Sequence, residues 1–512
     1  MKSLKKVICL ALAAVTVFGA LAGCGKKEVK TNTGDLEPVT LKCYIVGDLD
    51  PNKDAVLENL NNKLKEKINA TLDIIEIPWS DYKKKYSLIL ASGENIDLIY
   101  TSSWCYFYSE ARKGAFMPLD EDMIKTYAPK TYEKLPKDAW DYVKIDGKIS
   151  MIPQLKAGIA AKVMVYREDL RKKYNVPEIK SFEDFDAYFA AIKKNEPAMF
   201  PLNATVGNIE NLFFTYMWEK EGYRPVHLTD ALVTSADDST NSVIPLYEAK
   251  SYKEWLNVAK DWNTKGYWSK DILSNKTSSD TAFLNGTSAA TVCQYSSDIF
   301  SQSKMYAMHP DWEMGVYEFP HNGKLPVSSY TNNGMAIPST SKNPERALMA
   351  YDLLAWDEDI YTAHCYGIEG KTYQVTADGY VKVPDGVDES KTYKFGGLGL
   401  RMGINNKKFN KEDPSFALEQ YSKYILDSEA DAKYGLNVPA AYIPYDVTPI
   451  ANELTSLGNA HTSYNNLLIT GMSKDSVDKQ LEQYKKAAET AGISKILETV
   501  NKQKDEFLKS TK

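Results

Sequence analysis

Between residues 39 and 100 the chain alternates strand-like and helix-like apolar spacing in strict succession. VTLKCYIV (39–46) reads as a strand closed by Gly47 and Asp48. The stretch 54–68 then sets Val56, Leu57, Leu60, Leu64 and Ile68 on one helical face. A second strand is expected over 71–77 and a second helix over about 80–91, broken at Ser92, Gly93 and Glu94. Residues 97–100 form a short third strand. This order needs crossover connections, so the strands run parallel with helices against the sheet. In such sheets ligands bind beyond the carboxyl ends of the strands. The loops after Val46 and Tyr100 are therefore the first places to look.

The rest of the 512 residues holds further α/β elements, enough for two or three domains. Strands are expected at 147–153, 162–166, 289–293 and 335–338, and helices at 182–192 (Ser181 as its N-cap), 253–265 and 343–354. The apolar residues Leu481, Tyr484, Ile496, Leu497 and Val500 of the last two helices, 475–489 and 493–509, suit packing on a lobe better than a coiled coil. With 62 Lys+Arg against 68 Asp+Glu, the net charge is −6, which argues against a nucleic-acid partner. The aromatic share is 12%, including 34 Tyr, and such rings suit surfaces that hold amphipathic ligands. Five scattered histidines offer no sequence-local metal site, and no cofactor motif stands in a fitting context.

The first residues place the protein. Lys2, Lys5 and Lys6 precede an apolar stretch, 7–22, of signal-peptide length. It ends Leu21-Ala22-Gly23-Cys24, which resembles the bacterial lipobox, so cleavage before a lipidated Cys24 is expected. Residues 24–38 are polar and read as a flexible tether. The protein is thus expected on the extracytoplasmic side of the cell membrane, held by its lipid. Cys43, Cys105, Cys293 and Cys365 show no CxxC spacing. Cys43 and Cys293 lie in strand-like runs and read as small buried hydrophobes; a disulfide among the four is left open.

Five segments in order resemble the extracellular solute-binding proteins of bacterial ABC importers, the maltodextrin-binding type. They are LKCYIVGDLDPN, PWSDYKKKYSLILASGENIDLIYTSSW, GKISMIPQLKAGIAAKVMVYREDL, TAFLNGTSAATVCQY and NNGMAIPSTSKNPERALMAYDLL. YGIEGKTY (366–373) and the 434–472 run resemble a subgroup with an extended helical C-terminal region. The resemblance implies an α/β, two-lobed, type II binding fold with additional C-terminal helices. Lobe 1 would comprise 39–155 and 328–365, and lobe 2 would comprise 160–327 and 366–512. It also implies a small-molecule solute, most readily an oligosaccharide, a membrane permease as partner and a monomeric receptor.

Candidate ligand residues follow from the same alignment of motifs. Asp48 matches the family's ligand-contacting acid. Thr101 stands where the family has an aromatic residue, and the aromatic loop continues through Trp104, Tyr106 and Tyr108. Tyr295 follows the second-lobe strand, in Gln294-Tyr295-Ser296, where the family has Gly-Pro-Trp. Asn332 sits at the return crossover, and Glu369 and Arg401 are loop charges. Asp48, Asp50, Asn52 and Asp54 imitate an EF-hand start, but Lys53 and Asn59 replace its Gly and Glu. No GxSxG, HExxH or Cys/His pairing is present, so no catalytic residue is expected. The alternatives are a surface glycoside hydrolase, which needs an acid pair across the cleft, and a peptide-binding or sensor lipoprotein.

Overall fold

The computed structural model describes residues 36–47, 50, 52–155, 158–294, 308–377, 381–388, 392–393 and 430–510. In chain order the first lobe begins with β1 (Val39–Val46), α1 (Lys53–Ile68), β2 (Ala70–Ile77), α2 (Tyr82–Ala91), β3 (Leu98–Thr101) and α3 (Phe107–Arg112). The chain crosses over as β4 (Ile152–Pro153). The second lobe follows with β5 (Lys162–Arg167), α4 (Val206–Glu221), β6 (Tyr223–Val226), β7 (Thr229–Ser235), α5 (Lys250–Lys265), β8 (Ala290–Gln294) and β9 (Met314–Tyr317). It returns as β10 (Gly334–Ala336), then α6 (Pro344–Trp356) and α7 (Glu358–Tyr366). The C-terminal region ends in α8 (Ala451–Ile469), α9 (Val477–Thr490) and α10 (Ile493–Ser510).

The first sheet has the order β2-β1-β3-β10-β4. Its first three strands are parallel, in register from Val39 opposite Ala70 to Val46 opposite Ile77, as the crossover spacing dictates. β10 returns antiparallel to both β3 and β4. Val56, Leu60, Leu64 and Ile68 of α1 are buried, as the helical spacing predicts. The second lobe's central sheet, β8-β5-β9, is antiparallel throughout. A separate core of Phe182, Phe185, Tyr188, Phe213, Trp255 and Trp262 underlies it. Ser181 is not an N-cap: the helix starts at Asp184, whose carboxylate accepts from the Ser181 amide and hydroxyl instead. Cys43, Cys105, Cys293 and Cys365 are all buried, and no disulfide joins any two of them.

The C-terminal helices are stitched into the second lobe. Tyr252 donates to Asn465 (2.9 Å), Trp255 to the Ile469 carbonyl (3.1 Å) and Trp268 to the Thr470 carbonyl (3.1 Å). Leu481 and Tyr484 of α9 complete the same core. Ile496 and Val500 of α10 cover β7 through a smaller cluster with Leu232. Residues 366–377 and 392–393, expected with the second lobe, pack on the first. Gly367 (φ 93°) backs onto Val56, and Tyr393 donates to the His364 carbonyl (3.0 Å).

Between the lobes, residues 154–155 and 158–159 lie beside the segment 327–333. Gln154 donates through its side chain to the Ser329 carbonyl (2.7 Å) and accepts from Asn333 (2.9 Å). The C-terminal region adds a third strap. The Ile159 amide donates to Asp431 (2.7 Å), and Tyr108 donates to the Tyr442 carbonyl (3.0 Å). His227 lies between the rings of Tyr108 (4.2 Å) and Tyr445 (5.8 Å), and burial pulls its imidazole down to about 3. It therefore stays uncharged and behaves as one more ring in the stack.

Candidate functional site

Two walls meet at the return crossover. On the first lobe, the turn after β2 carries Trp79 and the loop after β3 carries Trp104, both at carboxyl ends of strands. Their indoles lie 6.0 Å apart at 24°, and Tyr82 meets both edge-on at 5.9 and 6.0 Å. At 6.0 Å nothing fits between the rings, so they form one continuous apolar platform. Trp79 is 41% and Trp104 39% exposed, while the other seven tryptophans are buried or half-buried. Packing against each other and Tyr82 still leaves two-fifths of each indole open to a ligand. Trp104 is held there by its Nε1, which donates to the Asn332 carbonyl (2.8 Å).

The second wall is a cavity of about 360 Å³ in the second lobe, reaching Asn332. Phe214 and Trp218 of α4 and Phe319 supply its apolar surface. Glu210 and Asn211 of α4, Asp230 of β7, Gln294 at the end of β8 and Asn332 supply polar side chains. Among the described residues none of these five side chains has a hydrogen-bond partner. By contrast, Arg224 of β6 donates to the Val327 carbonyl (2.6 Å) and lies over the Tyr442 ring (5.3 Å). Burial, with the charge of Asp230 second, pushes the Glu210 carboxyl up to about 7. Solvent reaches Asp230, yet the protein around it displaces enough hydration to raise its carboxyl as well. Unpaired donors and acceptors beside aromatic surface are what a ligand with many hydroxyl groups requires.

The expected residues divide clearly. Asn332 joins both walls, through its carbonyl to Trp104 and through its place in the cavity. Thr101 is fully buried and donates to the Cys105 carbonyl (3.2 Å), so it fixes the aromatic loop from within. Tyr106 donates to the Lys83 carbonyl (3.1 Å) and stacks on Tyr86, bracing α2. Glu369 is exposed in a separate concavity beside Glu358 and Tyr373, away from the platform. Asp48, Tyr295, Arg401 and Cys24 lie outside the described residues. Trp79, Glu210, Asn211, Arg224 and Asp230 were not anticipated. Trp79 had a usable signal, a Pro-Trp pair directly after a strand. Glu210 and Asp230 had none among 68 acids.

Residues 51–356 match the sequence profile described as bacterial extracellular solute-binding protein. The chain belongs to that family. The resemblance carried by the five motifs is thereby borne out. This solute-binding protein also matches a domain of unknown function over 443–509, the region holding α8 to α10. It is 26% identical to a carbohydrate ABC transporter substrate-binding protein of Streptococcus pneumoniae, over the full length of both chains. It is 22% identical to lipoprotein LipO of Bacillus subtilis, covering 97% of this chain and 98% of LipO. Among solved structures it resembles the N-glycan transport solute-binding protein of S. pneumoniae (TM-score 0.73, 22% identity, 93% of this chain and 100% of that one). It also resembles the alginate-binding protein AlgQ2 (TM-score 0.67, 17% identity, 93% and 100%). These neighbours share the two-lobed α/β fold.

Proposed function

We propose that this solute-binding protein is the lipid-anchored, monomeric receptor of an ABC importer and that its solute is an oligosaccharide. The observation that carries this reading is the exposed Trp79–Trp104 platform facing the same crossover as five unpartnered polar side chains. Sugars present apolar C–H faces and hydroxyl edges, and the two walls offer one surface for each. The names of its relatives support the reading: one is a carbohydrate transporter component, and the N-glycan transport protein was solved with Man1GlcNAc and Man5GlcNAc. Capture proceeds by closure of the lobes about the crossovers. The ligand favours closure because only the closed state engages both walls. Asp48, Tyr295 and Arg401, outside the described residues, are the further ligand contacts that the family resemblance implies.

Hydrolysis needs two carboxyls flanking the scissile bond about 5–10 Å apart. Among the described residues, Glu210 and Asp230 both belong to the second lobe, on adjoining elements, and the first-lobe platform is built of indoles. The protein therefore binds its saccharide and releases it intact. A thermal-shift screen of the mature protein against oligosaccharides tests this. A ligand at about a hundred times Kd stabilises by about 2.7 kcal/mol, a clear rise in midpoint. The saccharide recovered afterwards should be unchanged in length. A screen with no shift, or one that yields shortened products, overturns the proposal.

Anchoring is tested separately. Replacing Cys24 removes the thiol that takes the lipid, so Cys24→Ala should appear in the soluble fraction or remain unprocessed. A variant that still partitions as an acylated membrane protein would refute the lipobox reading.

A further inference from the structure

We propose that Glu210 and Asp230 form a subsite for a protonated amine, so that the preferred solutes are oligosaccharides bearing a free amino sugar. The inference rests on the saccharide reading above and sharpens it. Further along α4, Glu219 accepts from Tyr317 and Glu221 from the Ser251 amide (2.7 Å). Glu210 on the same helix accepts from nothing among the described residues, nor does Asp230 on β7. Both line one cavity, where the charge of Asp230 adds to burial in raising the Glu210 carboxyl. The cations of that cavity are engaged elsewhere: Arg224 on the Val327 carbonyl and the Tyr442 ring, Lys162 with its field on Asp280. Tyr484 of α9 also feels Asp230, but burial keeps its phenol neutral.

Ionising Glu210 beside Asp230 in partly desolvated surroundings costs free energy, which is why its carboxyl is raised. A hydroxyl donates one hydrogen bond and leaves the repulsion in place. An ammonium has three donors and a compensating charge, so it both satisfies a carboxylate and offsets the second charge. Asn211, Gln294 and Asn332 remain for the neutral hydroxyls. With the Glu210 carboxyl pushed up to about 7, an arriving ammonium, which favours its ionised form, expels protons at neutral pH.

The test is calorimetry on the mature protein with glucosamine oligomers and their N-acetylated counterparts of equal length. At pH 7 and low salt the free-amine series should bind at least about tenfold tighter. Only that series should release protons, seen as heats that change with the ionisation enthalpy of the buffer. In Glu210→Gln and Asp230→Asn the ratio between the two series should collapse towards one. Each amide relieves the repulsion, so both variants should melt no lower than the wild-type protein, which shows that they fold. Equal or tighter binding of the N-acetylated series, or a ratio that survives both substitutions, overturns the amine subsite and leaves the saccharide reading standing. If neither series nor any neutral saccharide binds, the saccharide reading falls and the subsite with it.

Discussion

Trp104→Ala should weaken oligosaccharide binding by about tenfold to a hundredfold. The indole is 39% exposed in the unliganded cleft, and a sugar stacked on the platform would cover what remains. Covering a large apolar side chain is worth about 1.5–3 kcal/mol, and each 1.4 kcal/mol is a factor of ten in affinity. The truncation also withdraws the edge contact with Tyr82 and the hydrogen bond that fixes Asn332. Trp104→Phe keeps an aromatic face and should recover part of the loss. Trp79→Ala, which removes the neighbouring half of the platform, should fall in the same range. Calorimetric affinities equal to wild type in both alanine variants would move the binding surface elsewhere.

The largest stability loss is expected from Trp255→Ala, at about 3–5 kcal/mol. Trp255 is fully buried, with rings of Tyr216 (5.5 Å), Phe182 (6.0 Å) and Phe213 (6.0 Å) around it. Its indole also donates to the Ile469 carbonyl at the end of α8. The substitution therefore opens a cavity and unfastens the C-terminal helices from α5 together. Against a typical total of about 5–15 kcal/mol, such a loss should lower the denaturation midpoint markedly. Urea unfolding that shows less than about 1 kcal/mol would mean that α8 to α10 are not part of the second-lobe core.

How much of this was readable beforehand depended on how far apart in sequence the interacting residues lie. The first lobe's sheet was legible because each strand–helix–strand unit announces its own partners. Parallel pairing of β1, β2 and β3 follows from crossovers within some sixty residues. The second lobe resisted, because strand spacing gives no pairing order for β8, β5 and β9, which meet across 120 residues and more. The tail helices were recognisable from Leu481, Tyr484, Ile496 and Val500, but not α8. Its buried face mixes Leu457, Leu468 and Ile469 with His461 and Asn465, so its apolar period is blurred.

The site divided along the same line. Trp104 was found because its loop follows a strand and is crowded with rings that local packing cannot all absorb. Glu210 and Asp230 converge only because the β6–β7 hairpin folds back beside α4. Two acids twenty residues apart, in a chain with so many, carry no mark of that meeting.

The stitching of late segments into early cores has a consequence for secretion. The first core needs α6, nearly 300 residues after β1, and the second needs α8 and α9, which lie close to the end of the chain. A polypeptide threaded outward from its N-terminus thus emerges with its first core open until α6 appears and its second open until α8 and α9 do. Contacts of such separation are slow to form, because the loop entropy must be met before any of them contributes. During that interval apolar strands stand open to self-association. The yield of folded receptor is therefore expected to follow how well these strands are kept apart during that interval.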